Sequence, residues 1–405
     1  MNIVLYAGDR KYYSVLESIS EELKNTNYSF LFYYTKQTQL LYPTHSEHKK
    51  YFEYDGQVSQ ESPQISETLG IQIPFKPDVL ILARERWQPE QSIIHEFKTK
   101  WNCIVCCVEV SSHLSNNIEN RLEMLSRYNY PQNQVDYFFE HSNWAKERRI
   151  DCLDESFRDK IQVVGNTRNF KSLNKESLKE KYKIDPTKKQ ILFWGVINTT
   201  RKTVFKALKT LRKKTINTHQ IFYKCYPGEP FNERFKNDFN PFIIEGVEVI
   251  YDENDIYGMA EICDTHIAAA SSVFNFAFIN NKKLVNLDNI CEASKKMNDI
   301  NLYLEETNNG VEDSAKFWMG VWNLKSTEEF KQLIDLSRIQ KFKDTNKKYI
   351  KNVQKDTINF DWECSFLNIP KKDNNKLVNY FDEYNFDNKA SKRIIKFLKN
   401  KALST

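Results

Sequence analysis

At 405 residues the chain exceeds what one ordinary hydrophobic core organises, and it fits two domains of common size. Hydrophobic residues make up 40% and aromatics 14%, enough for globular cores at a mean hydropathy of -0.64, which excludes disorder for most of the chain. The 59 basic and 54 acidic residues leave a formal charge of +5, too balanced to mark a nucleic-acid binder.

The eight cysteines (103, 106, 107, 152, 225, 263, 291 and 364) show no paired CxxC spacing, so they read as reduced core thiols rather than a zinc site. The amino terminus, MNIVLYAGDRKYY, begins directly as a strand and lacks the basic leader and long apolar core of a signal peptide. No apolar run approaches the ~20 residues of a membrane span. The expectation is a cytoplasmic protein, at most peripheral at the inner membrane.

In chain order, short apolar runs alternate with segments of helical period, the pattern of parallel sheets covered by helices. NIVLYAG predicts the first strand, and YYSVLESISEELK a helix with Tyr13, Leu16, Ile19 and Leu23 on one face. Further strands are predicted at 28 to 35, 77 to 83, 102 to 110, 135 to 142 and 160 to 168, with helices in QSIIHEFKTKW and NNIENRLEMLSRY. Residues 1 to 168 thus form one doubly wound domain. The polar, lysine-rich segment 169 to 188 reads as the interdomain linker. A second domain, 189 to 324, restarts with QILFWGVIN, a basic helix TRKTVFKALKTLRKK, and strands in HQIFYKCYP, GVEVIY, THIAAA and KLVNLD. From 325 to 405 the chain turns helical and charged, expected to pack back across the domains. Its last segment, KASKRIIKFLKNKALST, sets Ile394, Ile395, Phe397 and Leu398 against six basic residues. That pattern suits either an anionic membrane surface or a helix docked on the body.

In open parallel sheets the ligand lies beyond the carboxyl ends of the strands, so the residues just after each strand carry the chemistry. In the first domain these are Gly8, Asp9 and Arg10, then Arg84 and Arg86, then Glu109 and His113, and His141 with Ser142. They read as the acceptor side, with Glu109 and His113 as candidate bases for an acceptor hydroxyl. In the second domain they are Arg201, the passage KCYPGEPFNERF from Lys224 to Phe235, and Ser271 with Ser272. The two serines open a helix, where unpaired N–H groups suit a phosphate; an ordinary N-cap is the plainer alternative. The acids in DEND (252 to 255) read as a helix cap rather than a metal site.

GVEVIYDENDIYGMAEICD, the serine turn and KLVNLDN resemble, in that order, the carboxyl half of GT-B glycosyltransferases, and GNTRNF resembles the passage into that half. The resemblance implies an α/β GT-B fold: two doubly wound Rossmann-like domains, an interdomain cleft and a helical C-terminal region. KCYPGEP is similar to the motif of bacterial enzymes using CMP-sugars, which carry a His-Pro pair after a strand; here Tyr226 and Pro227 stand there, and His266 compensates only in part. Among them the chain looks most like the retaining β-Kdo transferases of surface polysaccharide synthesis. That resemblance implies CMP-Kdo as donor, no metal or other cofactor, and a lipid-linked glycan acceptor of lipopolysaccharide O-antigen or capsule. It implies donor contacts from Lys224, Tyr226, Pro227, Gly228, Arg201, Arg234, Ser271, Ser272 and His266. It also implies double displacement through an Asp nucleophile, whose position falls on Asn232. An amide cannot attack an anomeric carbon, which leaves three readings: Glu229 or Glu233 serves instead, the role does not apply, or the chain carries Asn where a working enzyme has Asp. The alternatives are another CMP- or UDP-sugar transferase of sialyltransferase type, a non-hydrolysing sugar-nucleotide epimerase, and a catalytically silent nucleotide-binding subunit.

Overall fold

The computed structural model describes residues 1–8, 10–34, 64–83, 88–109, 134–152, 155–167, 175–195, 201–224, 244–250, 255–268, 277, 280–290, 357–371 and 387–402. The first unit opens with β1 (Asn2–Ala7), α1 (Arg10–Leu23) and β2 (Ser29–Tyr34). A small antiparallel hairpin, β3 (Gln64–Ser66) with β4 (Ile71–Ile73), precedes β5 (Val79–Leu82), α2 (Gln88–Trp101) and β6 (Ile104–Val108). Then come β7 (Tyr137–Glu140), α3 (Asn143–Cys152) and β8 (Ile161–Val163). The strands form a six-stranded parallel sheet in the order β2-β1-β5-β6-β7-β8.

Alternation along these strands sends successive residues to opposite faces, and both faces are covered. Ile3, Leu5, Val79 and Ile81 pack with Leu16, Ile19 and Leu23 of α1; Val4, Leu80, Leu82 and Val105 pack with Ile93, Phe97 and Trp101 of α2. Helix α2 carries Glu90 in its first turn and Lys98 and Lys100 in its last, complementing its dipole. It stops at Asn102, whose φ of 52° is left-handed; the amides of Asn102 and Cys103 turn back to the carbonyls of Lys98 and Phe97 at 3.0 and 3.3 Å. Cys103, Cys106, Cys107, Cys263 and Cys364 are buried thiols. Burial, with the Asp78 carboxylate adding to it, pushes Cys103 up to about 12.

The second unit begins earlier than the sequence implies. Residues 169 to 188 read as a linker, yet α4 (Lys175–Lys181) folds within them and buries Leu178 and Tyr182 in the second core. The Tyr182 hydroxyl donates to Asp255 at 2.6 Å, and Lys181 pairs with the same carboxylate at 2.5 Å. The linker reading missed this because its two apolar anchors are diluted by lysines. After α4 come β9 (Lys189–Trp194), α5 (Arg201–Thr215), β10 (His219–Lys224), β11 (Val247–Ile250), α6 (Asp255–Ile262), β12 (Thr265–Ala268) and β13 (Lys283–Asn286).

The second domain also reaches past residue 324, the end read from the sequence. β14 (Ile358–Asn359) pairs with β13, and Ile358, Phe360 and Phe366 join the core under α5. The sheet is parallel, in the order β11-β10-β9-β12-β13-β14. Read by position in the chain this is 3-2-1-4-5-6, the dinucleotide-fold order, with its switch between β9 and β12. Helix α5 covers one face through Val204, Leu208 and Leu211, and α6 the other through Ile256 and Met259.

The last helix, α7 (Ala390–Ala402), returns to the first unit and packs on α1. Ile394 and Leu398 are 0% and 1% exposed, and the Phe397 ring lies edge-on to Tyr137 and Phe139 at 4.8 and 5.5 Å. Arg393 donates to the Val164 carbonyl at 2.8 Å. Of the two dispositions open for this segment, the apolar face takes the docked one, because the sheet and α1 offer it a dry surface.

Candidate functional site

Two strand-end edges carry the described candidates. In the second sheet Lys224 is the last residue of β10, in register with Trp194 of β9 and Ile250 of β11. The Gly195 amide donates to the Lys224 carbonyl at 2.8 Å, so the chain leaves β9 and β10 at one level. Lys224 is buried, 7% exposed, at the edge where a parallel sheet receives ligands. An ammonium at this edge suits an anion such as a phosphate. The passage it opens runs on to Phe235, and Tyr226, Pro227, Gly228, Glu229, Asn232, Glu233 and Arg234 lie outside the described residues. So do Ser271 and Ser272 beyond β12. Arg201 is the first residue of α5.

His266 does not take the place expected of it. It is the second residue of β12, fully buried, with its ring 5.9 Å from that of Trp194 and its Nε2–H donating to the Ala260 carbonyl of α6 at 3.0 Å. Burial holds its pKa down to about 3, against a partial upward pull from that hydrogen bond, so the imidazole is neutral. It ties α6 to the sheet, and the expectation of donor binding gives way to packing. The reason is register: two residues short of the strand's end, a side chain points under a helix instead of over the edge.

In the first sheet Gly8 follows β1 at the switch between β1 and β5. A Cβ there would lie 2.5 Å from Oε1 of Glu90 and 3.0 Å from the Tyr6 hydroxyl, so a larger residue must displace the Glu90 carboxylate. Glu90, 1% exposed in the first turn of α2, thus sits against the end of β1, a contact between residues distant in the chain that no local pattern signals. Arg10 begins α1, whereas Asp9, Arg84, Arg86 and His113 lie outside the described residues.

Two strands further along, Glu109 follows β6 and meets a helix that the sequence reading omitted. α3 is capped by Ser142, whose Oγ accepts from the Ala145 amide at 3.1 Å. One turn after Ala145, Arg149 turns inward, fully buried, with its guanidinium 4.4 Å over the Phe138 ring. Its Nη2 donates to Oε2 of Glu109 at 2.6 Å and its Nε to Oε1 of Glu140, the last residue of β7. Glu109, expected with His113 as a candidate base, is one arm of a buried carboxylate–guanidinium–carboxylate cluster beside His141. The signal was a serine followed by helical spacing; it is masked by the run KERR, which reads as a solvated face.

Among the described residues no helix is long and apolar enough to cross a membrane. No protein-family model and no curated protein sequence matches the chain. Solved structures do. UDP-GlcNAc 2-epimerase from Neisseria meningitidis bound to UDP-GlcNAc aligns with a TM-score of 0.51 at 13% identity, over 88% of this chain and 100% of that one. A variant of the wall teichoic acid polymerase TagF aligns with a TM-score of 0.50 at 11% identity, over 99% of this chain and 88% of that one. At such identities the likeness speaks for the fold, and the fold is the GT-B arrangement of two Rossmann-like α/β domains.

Proposed function

We propose that the chain is a sugar-nucleotide enzyme, a glycosyltransferase that binds the donor at the carboxyl edge of its second sheet and the acceptor at that of its first. The observation that carries this reading is Lys224: a buried cation at the edge of a sheet with dinucleotide-fold order, opening the passage that resembles a CMP-sugar motif. The donor proposed is CMP-Kdo, whose phosphate and sugar carboxylate give Lys224, Arg201 and Arg234 anions to hold. Tyr226, Pro227, Gly228 and the Ser271–Ser272 turn complete the donor site, and the acceptor is a bacterial glycan, lipid-linked in O-antigen or capsule synthesis. The chemistry is retaining double displacement, with Asn232 where the carboxylate nucleophile belongs. An amide there supports donor binding without efficient turnover.

With its apolar face docked, α7 meets a membrane only through the lysines of its outer face, Lys392, Lys396 and Lys399, so peripheral contact is electrostatic and salt-sensitive. Epimerisation of a UDP-sugar is the second reading, and the alignment over the whole of the Neisseria epimerase is a likeness of fold that both readings share. The test mixes the protein with CMP-Kdo, CMP-sialic acid and UDP-sugars and measures binding to each. Binding of UDP-sugars without CMP-sugars would overturn the donor. Asn232→Asp is expected to raise transfer or donor hydrolysis; no rise would remove the nucleophile assignment.

A further inference from the structure

The Glu109–Arg149–Glu140 cluster is costly to fold: three charged groups are 8%, 0% and 1% exposed at the end of β6, in α3 and at the end of β7. Desolvating a guanidinium and two carboxylates costs several kcal/mol per ion, and apolar residues of similar volume often serve stability as well or better. Its place is also specific. All three meet at the carboxyl edge of the first sheet, where the proposed acceptor approaches, and Glu109, the most exposed of them, stands where the chain leaves β6.

We propose that Arg149 and Glu140 are positioning residues, which hold Glu109 at the carboxyl end of β6 as the base for the acceptor hydroxyl. This rests on the transferase reading above. In the step served, the acceptor oxygen forms the new bond to the anomeric carbon. The bond from that carbon to the carboxylate oxygen of the covalent intermediate, which Asn232→Asp supplies, breaks with its electron pair, and the hydroxyl proton passes to Glu109. Arg149 fixes the position of Oε2 through the 2.6 Å bond from Nη2, and its own plane is fixed by the Phe138 ring and by Nε on Glu140. The two neighbours act on Glu109 in opposite senses: the guanidinium favours the carboxylate, and the Glu140 charge favours the proton. Among the described residues the titratable and charged groups at the ends of β6 and β7 are Glu109, Glu140, His141 and Arg149, and Glu90 stands at the end of β1 on the same edge.

The opposed effects set the experiment. Release of CMP from CMP-Kdo, with water as the acceptor hydroxyl, is followed against pH in Asn232→Asp, alone and combined with Glu109→Gln, Arg149→Met, Arg149→Lys and Glu140→Gln. Glu109→Gln is expected to lower kcat by about 10²–10⁴-fold, the usual worth of a general base, with donor Kd unchanged. Arg149→Met moves the acid limb of the profile to higher pH, Glu140→Gln moves it to lower pH, and Arg149→Lys restores part of the lost rate. A cluster that only braces the fold would lower stability and leave the limb in place. A second readout needs no turnover: carboxyl ¹³C resonances of Glu-labelled protein, with Glu109 assigned through Glu109→Gln, should titrate with the same opposed displacements. A Glu109 midpoint or acid limb unmoved by either neighbour overturns the proposal while donor binding persists. Absence of binding by every nucleotide sugar overturns the transferase reading itself.

Discussion

Replacing Ile394 by Ala separates a docked α7 from one that lies on a membrane. Ile394 is 0% exposed and belongs to the core built from β1, β5 and α1. Truncating a buried Ile to Ala costs about 2–5 kcal/mol, the lost transfer energy plus the cavity. For a unit of some 150–250 residues each kcal/mol lowers Tm by roughly 2–4 °C, so a loss of about 3 kcal/mol gives roughly 6–12 °C. The assay is differential scanning calorimetry in solution without lipid, because two units need not melt together. Lys396→Ala on the outer face is the control, expected within about 0.5 kcal/mol of the parent. If Ile394→Ala melts with the control, or loses only vesicle binding, the apolar face of α7 is not part of the first core.

Other outcomes are expected from single features. Gly246 has a φ of +74°, and a Cβ there would lie 1.8 Å from Nη2 of Arg212, which holds the Glu245 carbonyl at 2.9 Å through Nε. Gly246→Ala should therefore lower stability by about 1–2 kcal/mol in denaturant titration; the left-handed backbone accounts for most of it, since the arginine tip can move. His266 is held down to about 3, so between its unfolded value near 6.5 and about 3 the unfolded chain gains a proton that the folded one refuses. Stability falls with acid across that window by roughly 1.4 kcal/mol per pH unit, and His266→Phe should remove that slope. Burial, with Glu21 beside it and Lys24 opposing, raises Glu17 to about 7. Its contribution is therefore complete below about 4.5 and lost as pH rises through about 7. The two slopes oppose each other between about 4.5 and 6.5, and Glu17→Gln should leave the wild type's acid sensitivity steeper there, read as Tm against pH.

The strands were legible because IVLYA, VLIL and IVCCV are apolar runs too short for helices and spaced by amphipathic segments. What escaped was coded by partners distant in sequence. β14 is two residues long and becomes a strand only through β13, some 70 residues earlier. The stripe of Ile394, Ile395 and Leu398 was plain, but periodicity says that a face is buried without saying whether lipid or protein covers it. At the candidate site, strand-end reasoning placed Gly8, Glu109 and Lys224 on the edges. The donor contact that the family resemblance implied for His266 does not fit its register, since the second residue of β12 lies in the core and not on the edge. Strand-end reasoning had no means of finding Arg149, because a buried arginine in a charged run is visible only through the two carboxylates that it meets.

The central claim, a nucleotide-sugar site at the carboxyl edge of the second sheet, is tested most directly by titrating CMP-Kdo into the wild type and into Lys224→Met by calorimetry. Hydrogen bonds to charged groups are worth about 1.5–3 kcal/mol, so the account predicts saturable binding that weakens by roughly 10–150-fold in the variant. Binding of equal strength in both proteins would remove Lys224 from the site, and heat from no nucleotide sugar at all would contradict the account.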